Sequence, residues 1–99
     1  MKKKYLCPKE DSEIVPLAWI FQDPVTTVRH ATVVVEVERG TDPNPNAILY
    51  NNVIIYQGNT VIQVVSGGLN DVLYKFTMTA TLSDDTVYVY VAYLPVVAV

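Results

Sequence analysis

Hydrophobic positions in this chain recur every second residue. From Val72 the pattern places Val72, Tyr74, Phe76, Met78, Ala80 and Leu82 on one face and Leu73, Lys75, Thr77, Thr79 and Thr81 on the other. Successive side chains of a strand point to opposite sides, so this is a half-buried strand with a threonine-rich outer face. Ser83-Asp84-Asp85-Thr86 is a short polar turn, and Thr86 to Leu94 returns as a second strand, which makes a hairpin. Thr26 to Arg39 reads as strand, with Val33, Val35 and Val37 facing one way and Val34, Glu36 and Glu38 the other. Ile14 to Phe21 is an opening strand holding Trp19, broken at Pro16 and closed by Gln22-Asp23-Pro24. Thr60 to Ser66 is a strand ended by Gly67-Gly68, and Ala47 to Tyr56 carries one or two more. The segment 40–46 holds two prolines, which exclude both helix and ladder pairing.

No segment has the period of a helix. Six or seven strands separated by turn signals at roughly 8–12-residue spacing predict an antiparallel β-sandwich. The 99 residues suffice for one domain spanning 1–99, with residues 1–12 as a flexible or extended N-terminal arm. Trp19, Tyr74, Phe76 and Met78 are expected in the core.

The last strand departs from simple alternation. Val87, Val89, Val91 and Tyr93 share one face, and Tyr88, Tyr90 and Ala92 share the other, so both faces are apolar or aromatic. One lines the core; the other packs against neighbouring strands or binds a partner, because contiguous apolar surface marks interaction and tyrosine is enriched at interfaces. The tail Pro95-Val96-Val97-Ala98-Val99 is an association hazard unless it pairs as a strand. The candidate interface is therefore Tyr88, Tyr90, Val96, Val97 and Val99, with the tail adding a strand to a neighbour.

Composition narrows the function. Hydrophobic residues make up 51% and charged residues 17%, against about 25% charged in an average domain, which suggests that part of the surface is covered by something else. A net charge of −3 offers no footprint for nucleic acid, and the one basic cluster, Lys2-Lys3-Lys4, reads as a solvated terminus. No secretory leader is expected, because the lysines lead to Tyr5-Leu6-Cys7-Pro8 and then to charges, and the apolar run 87–99 is too short to span a membrane as a helix. Cys7 is the only cysteine, which excludes an internal disulfide and a zinc site built on cysteines.

Catalysis finds no constellation. His30 stands alone in mid-strand, with no nucleophile or acid partner near it in sequence. Asp42, Asn44 and Asn46 alternate as in a calcium loop, but Ala47 stands where the glycine belongs and no glutamate follows. Asp84-Asp85 and Asp71 would bind a cation only if their loops converged. Glu36 and Glu38 share a strand face, whereas a glycosidase needs its carboxylates across a cleft. No catalytic residue, cofactor or metal is assigned.

The layout resembles a family of small phage and prophage proteins with an immunoglobulin-like or fibronectin III-like sandwich. The residues that carry the resemblance are Pro8-Lys9-Glu10-Asp11 leading to Ala18-Trp19-Ile20, then Val64-Val65-Ser66-Gly67-Gly68-Leu69-Asn70-Asp71-Val72-Leu73-Tyr74 running into Thr77-Met78-Thr79-Ala80-Thr81. The chain departs from the family at the last hairpin, where Asp84-Asp85 replaces Gly-Arg and a Tyr/Val strand replaces a charged one. The resemblance implies a non-catalytic structural protein of a tailed-phage virion (head, neck or tail), made in the host cytoplasm, whose partners are other virion proteins and itself, with neither nucleic acid nor membrane. The alternative is a carbohydrate-binding or adhesion module whose tyrosines stack on sugar rings.

Overall fold

The computed structural model describes residues 2–21 and 27–98. Eight strands occur in chain order: β1 (Lys2–Tyr5), β2 (Lys9–Glu10), β3 (Ile14–Ile20), β4 (Val28–Arg39), β5 (Ile54–Tyr56), β6 (Thr60–Ser66), β7 (Val72–Leu82) and β8 (Val87–Val97). A short 3₁₀ turn, Pro45–Ile48, lies between β4 and β5, so the expected start of a strand at Ala47 is instead a turn begun by proline. One sheet has the order β1-β8-β7-β4, with β2 also on β8, and the other has the order β3-β6-β5. Because β1 and β2 share one edge, the eight segments occupy seven strand positions. This is an immunoglobulin-like sandwich in which the first strand has joined the sheet of the last.

Its core forms where the two inner faces meet. β7 alternates as its sequence dictates: Tyr74, Phe76, Met78 and Ala80 have no exposed surface. Facing them are Leu17, Val61 and Val65 of the smaller sheet, with Ile48 plugging one end from the 3₁₀ turn. Trp19 is only half-buried and packs against both halves of the core. Pro16 does not break β3, because β3 is an edge. The Phe21 N–H bonds to the Asn59 carbonyl, so the alternation turns the even residues of β3, and the missing donor of Pro16, away from β6.

The corner before β7 is built around one hydroxyl. Tyr74 OH accepts from the Leu69 N–H at 2.9 Å and donates to Asp42 Oδ2 at 2.6 Å, which ties the β6–β7 connection to the β4–β5 connection. Such a tyrosine corner is a hallmark of immunoglobulin-like domains. Gly68 must be glycine here: its φ is +95°, and an added Cβ would lie 3.0 Å from Val96 Cγ2.

The N-terminal arm is not a loose tail. β1 pairs in parallel with β8, Lys2 opposite Tyr90 through Tyr5 opposite Tyr93, and β2 continues the pairing with Lys9 opposite Val96. The Tyr5 ring stacks on Tyr93 with centroids 4.7 Å apart. Lys9 is buried, its Nζ donating to the Gly67 carbonyl at 2.6 Å and the Glu10 carbonyl at 2.8 Å. Desolvation holds its ammonium below the ordinary lysine range, partly countered by Glu13 and Asp11.

Candidate interaction surfaces

The hairpin register decides which way the β8 tyrosines point. Tyr88 lies opposite Ala80 and Tyr90 opposite Met78, so both stand on the inner side of the sheet, not on its outer face. They meet Phe21 at the end of β3: the Phe21 centroid is 5.9 Å from Tyr88 and 5.7 Å from Tyr90, the latter edge-to-face. The three rings plug the mouth of the sandwich. Tyr90 is half-buried against the core, whereas Tyr88 keeps 41% of its surface exposed. Of the two expected contact tyrosines, Tyr88 is therefore the more exposed.

Two other expectations are corrected. Val96 is 1% exposed and belongs to the core, because its row on β8 is the row of Leu94 and Ala92. Val96 and Val97 cannot add a strand to a neighbour, because β8 is a central strand, paired to β7 on one side and to β1 and β2 on the other. Val97 is exposed, but its backbone is already opposite Glu10. Val99, like the expected Gln22-Asp23-Pro24 turn, lies outside the described residues.

Where the inner edges of β3 and of β1/β8 diverge, an open groove of about 470 Å³ runs along the sandwich. Leu6, Leu17, Trp19, Phe21 and Tyr90 line it, with Lys4 at the rim.

The two outer faces differ in charge. On the larger sheet, β4 and β7 present Thr32, Thr77, Thr79, Thr81 and the Glu36–Lys75 pair at 3.7 Å, interleaved with the exposed Val34, Val87 and Val89. On the smaller sheet the outward rows are Ile14 with Ser66, Pro16 with Val64, Ala18 with Ile62 and Ile54, and Ile20 with Thr60 and Tyr56. None of these carries a charge, and Ile14, Ile20, Ile54 and Tyr56 are well exposed, Ile20 most at 66%. No element covers this face among the described residues. Its cause is visible in β3, Ile14-Val15-Pro16-Leu17-Ala18-Trp19-Ile20, which is apolar at every position and so supplies hydrophobic side chains to both sides.

The candidate ion sites do not assemble. Asp42 is engaged: Oδ1 accepts from the Asn44 N–H at 2.9 Å and Oδ2 from Tyr74. Asp71 precedes β7 and Asp84-Asp85 follows it, so an 11-residue strand, roughly 35 Å long, separates them. Asp85 instead pairs with Arg29 at 2.6 Å. His30 is exposed on the outer side of β4. Among the described residues no three His, Cys, Asp or Glu side chains are grouped to hold a metal, and no helix is long and apolar enough to cross a membrane.

No protein-family model matches the chain, and no curated protein is significantly similar to it. Among solved structures it is similar to part of a 2,6-sialyltransferase of Photobacterium sp. JT-ISH-224, solved in a ternary complex with CMP and lactose. The TM-score is 0.54 at 18% identity, and the match covers 98% of this chain but only 17% of that one. At that identity the likeness is one of fold alone: a sandwich of this kind forms a small part of a much longer enzyme.

Proposed function

We propose that the chain is a non-catalytic assembly module, a structural component of a tailed-phage virion, that docks on a protein partner through the outer face of the β3-β6-β5 sheet. The observation that carries this reading is the uncharged, uncovered face of Ile14, Ala18, Ile20, Ile54, Tyr56 and Ile62. Contiguous apolar surface of this kind marks protein contacts. The virion setting rests on the resemblance in the Trp19 strand and the Gly67-Gly68 to Thr81 segment.

Ile62→Lys tests it, because residue 62 points outward in the middle strand and the substitution leaves the core row untouched. Particles purified from a lysate of a host carrying the gene contain the wild-type chain by mass spectrometry. The folded I62K variant is depleted from them at least tenfold. A chain absent from purified particles refutes the virion setting, and full incorporation of I62K refutes the docking face.

A second reading, a glycan-binding module, rests on the groove, where Trp19, Phe21 and Tyr90 offer rings at the surface. Sugar sites pair such rings with fixed polar groups, and among the described residues this groove has only Lys4 as a charged side chain. Binding to a glycan array that is lost in Trp19→Ala would favour it over the first.

A further inference from the structure

We infer that the chain also pairs with a second copy of itself through the free edge of β4, which extends the larger sheet across a two-fold axis. Among the described residues the other sheet edges are short, interrupted or carry proline, whereas β4, apart from its first residue, whose N–H bonds to the Gly58 carbonyl, offers a long edge with no strand beside it. The β3 edge carries Pro16, β5 is three residues long, and the β1/β2 edge is interrupted at Leu6–Pro8 and carries lysines in its sequence. These are the devices by which sheets avoid edge-to-edge pairing. β4 is 12 residues long, Val28–Arg39, with no proline, glycine or lysine. Its irregularities fall at the ends, between Val28 and His30 and between Val37 and Arg39, which leaves the run from His30 to Val37 unbroken in register. Val33 and Val37 face inward yet are only half-buried, so the edge is open to an approaching strand.

Charge selects the occupant. Arg29, paired with Asp85, and His30 stand at the start of β4, and Glu36, 3.7 Å from Lys75, and Glu38 near its end. Antiparallel pairing with an identical strand sets the basic start of each copy against the acidic end of the other; parallel pairing sets like against like. Opposed residues must share a face, so their numbers share parity. With Val33 on the axis, His30 opposes Glu36 of the second copy, Thr32 opposes Val34, and Ala31 opposes Val35. Every outward pair in the run is then either opposite in polarity sense or β-branched, and Arg39 lies beyond it. This surface is distinct from the apolar face proposed above, on the other sheet, so the two stand or fall separately.

The oligomeric state of the full chain, by sedimentation velocity over a range of concentrations, gives the first test: a reversible monomer–dimer equilibrium is expected. Glu36→Lys weakens the dimer by about tenfold, since both symmetric pairs are lost, and His30→Glu in the same chain restores it to within a few-fold by reversing the pair. I62K leaves the dimer intact. In a Cys7→Ser background, mixing Thr32→Cys with Val34→Cys protein gives an oxidised heterodimer in preference to either homodimer. A monomer at all concentrations overturns the inference. So does a dimer indifferent to E36K, a double variant that fails to recover, or self-association lost in I62K but not in E36K.

Discussion

Removing a single oxygen tests the corner that joins the two ends of the core. In Tyr74→Phe the ring still fills its fully buried site, so packing is retained and only the hydroxyl's bonds are lost. One of these goes to a carboxylate, at 2.6 Å from Asp42, and a bond to a charged group contributes roughly 1.5–3 kcal/mol. The other, from the Leu69 N–H at 2.9 Å, contributes roughly 0.5–1.5 kcal/mol. Because Asp42 remains partly open to water, the expected loss is toward the lower end, ~2–3 kcal/mol in urea unfolding at unchanged m-value. A double-mutant cycle with Asp42→Ala isolates the pair, with an expected coupling of at least ~1 kcal/mol. The same hydroxyl gives a pH signature. Burial, and then the hydrogen bond and charge of Asp42, push its pKa up to about 12. An unfolded tyrosine ionises near ~10, so between pH 10 and 12 the unfolded state binds fewer protons than the native state and stability falls as pH rises. The contribution is whole below pH 10, and at most ~3 kcal/mol disappears by pH 12. The stability difference between wild type and Tyr74→Phe therefore shrinks across that window. A variant within ~0.5 kcal/mol of wild type at pH 7, or a difference flat from pH 9 to 12, would refute the account of this corner.

Two further outcomes are expected from thermal or urea unfolding. Tyr90→Ser destabilises by ~1.5–3 kcal/mol because it opens the half-buried ring site against Phe21 and Met78, whereas Tyr88→Ser costs under ~1 kcal/mol; equal costs would show that the mouth is not packed as described. Lys9→Met strips partners from the Gly67 and Glu10 carbonyls and lowers stability by ~1–3 kcal/mol, and a neutral result would mean that the arm is not clasped there.

The sequence announces the core of this fold better than its surfaces. The period-two row of β7 and the placing of Tyr74, Phe76 and Met78 in the core follow from local alternation, which needs no knowledge of partners. The inward turn of Tyr88 and Tyr90 does not, because both faces of β8 are apolar and only the register opposite Ala80 and Met78 chooses between them. The burial of Val96 is hidden for the same reason. Parallel pairing of β1 with β8 joins residues 88 apart, as Lys2 to Tyr90 shows, and no periodicity reports such a contact. The apolar outer face did leave a trace. The seven residues of β3 lack any polar alternation, a pattern that marks a strand covered on both sides, just as β8 does.

The parallel strap between β1 and β8 has a mechanical consequence. Because the two strands run the same way, Lys2 and Val97 lie toward opposite ends of a body 42 Å long. Tension applied through those ends slides β1 and β8 past each other along their length. The hydrogen bonds of the strap then carry the load together, instead of opening one at a time as in a hairpin pulled apart at its mouth. Lys9, clamped on the Gly67 carbonyl, lies in the path of that load. Pulled in this way, the domain's resistance is set by how fast the strap ruptures under force, not by its equilibrium stability.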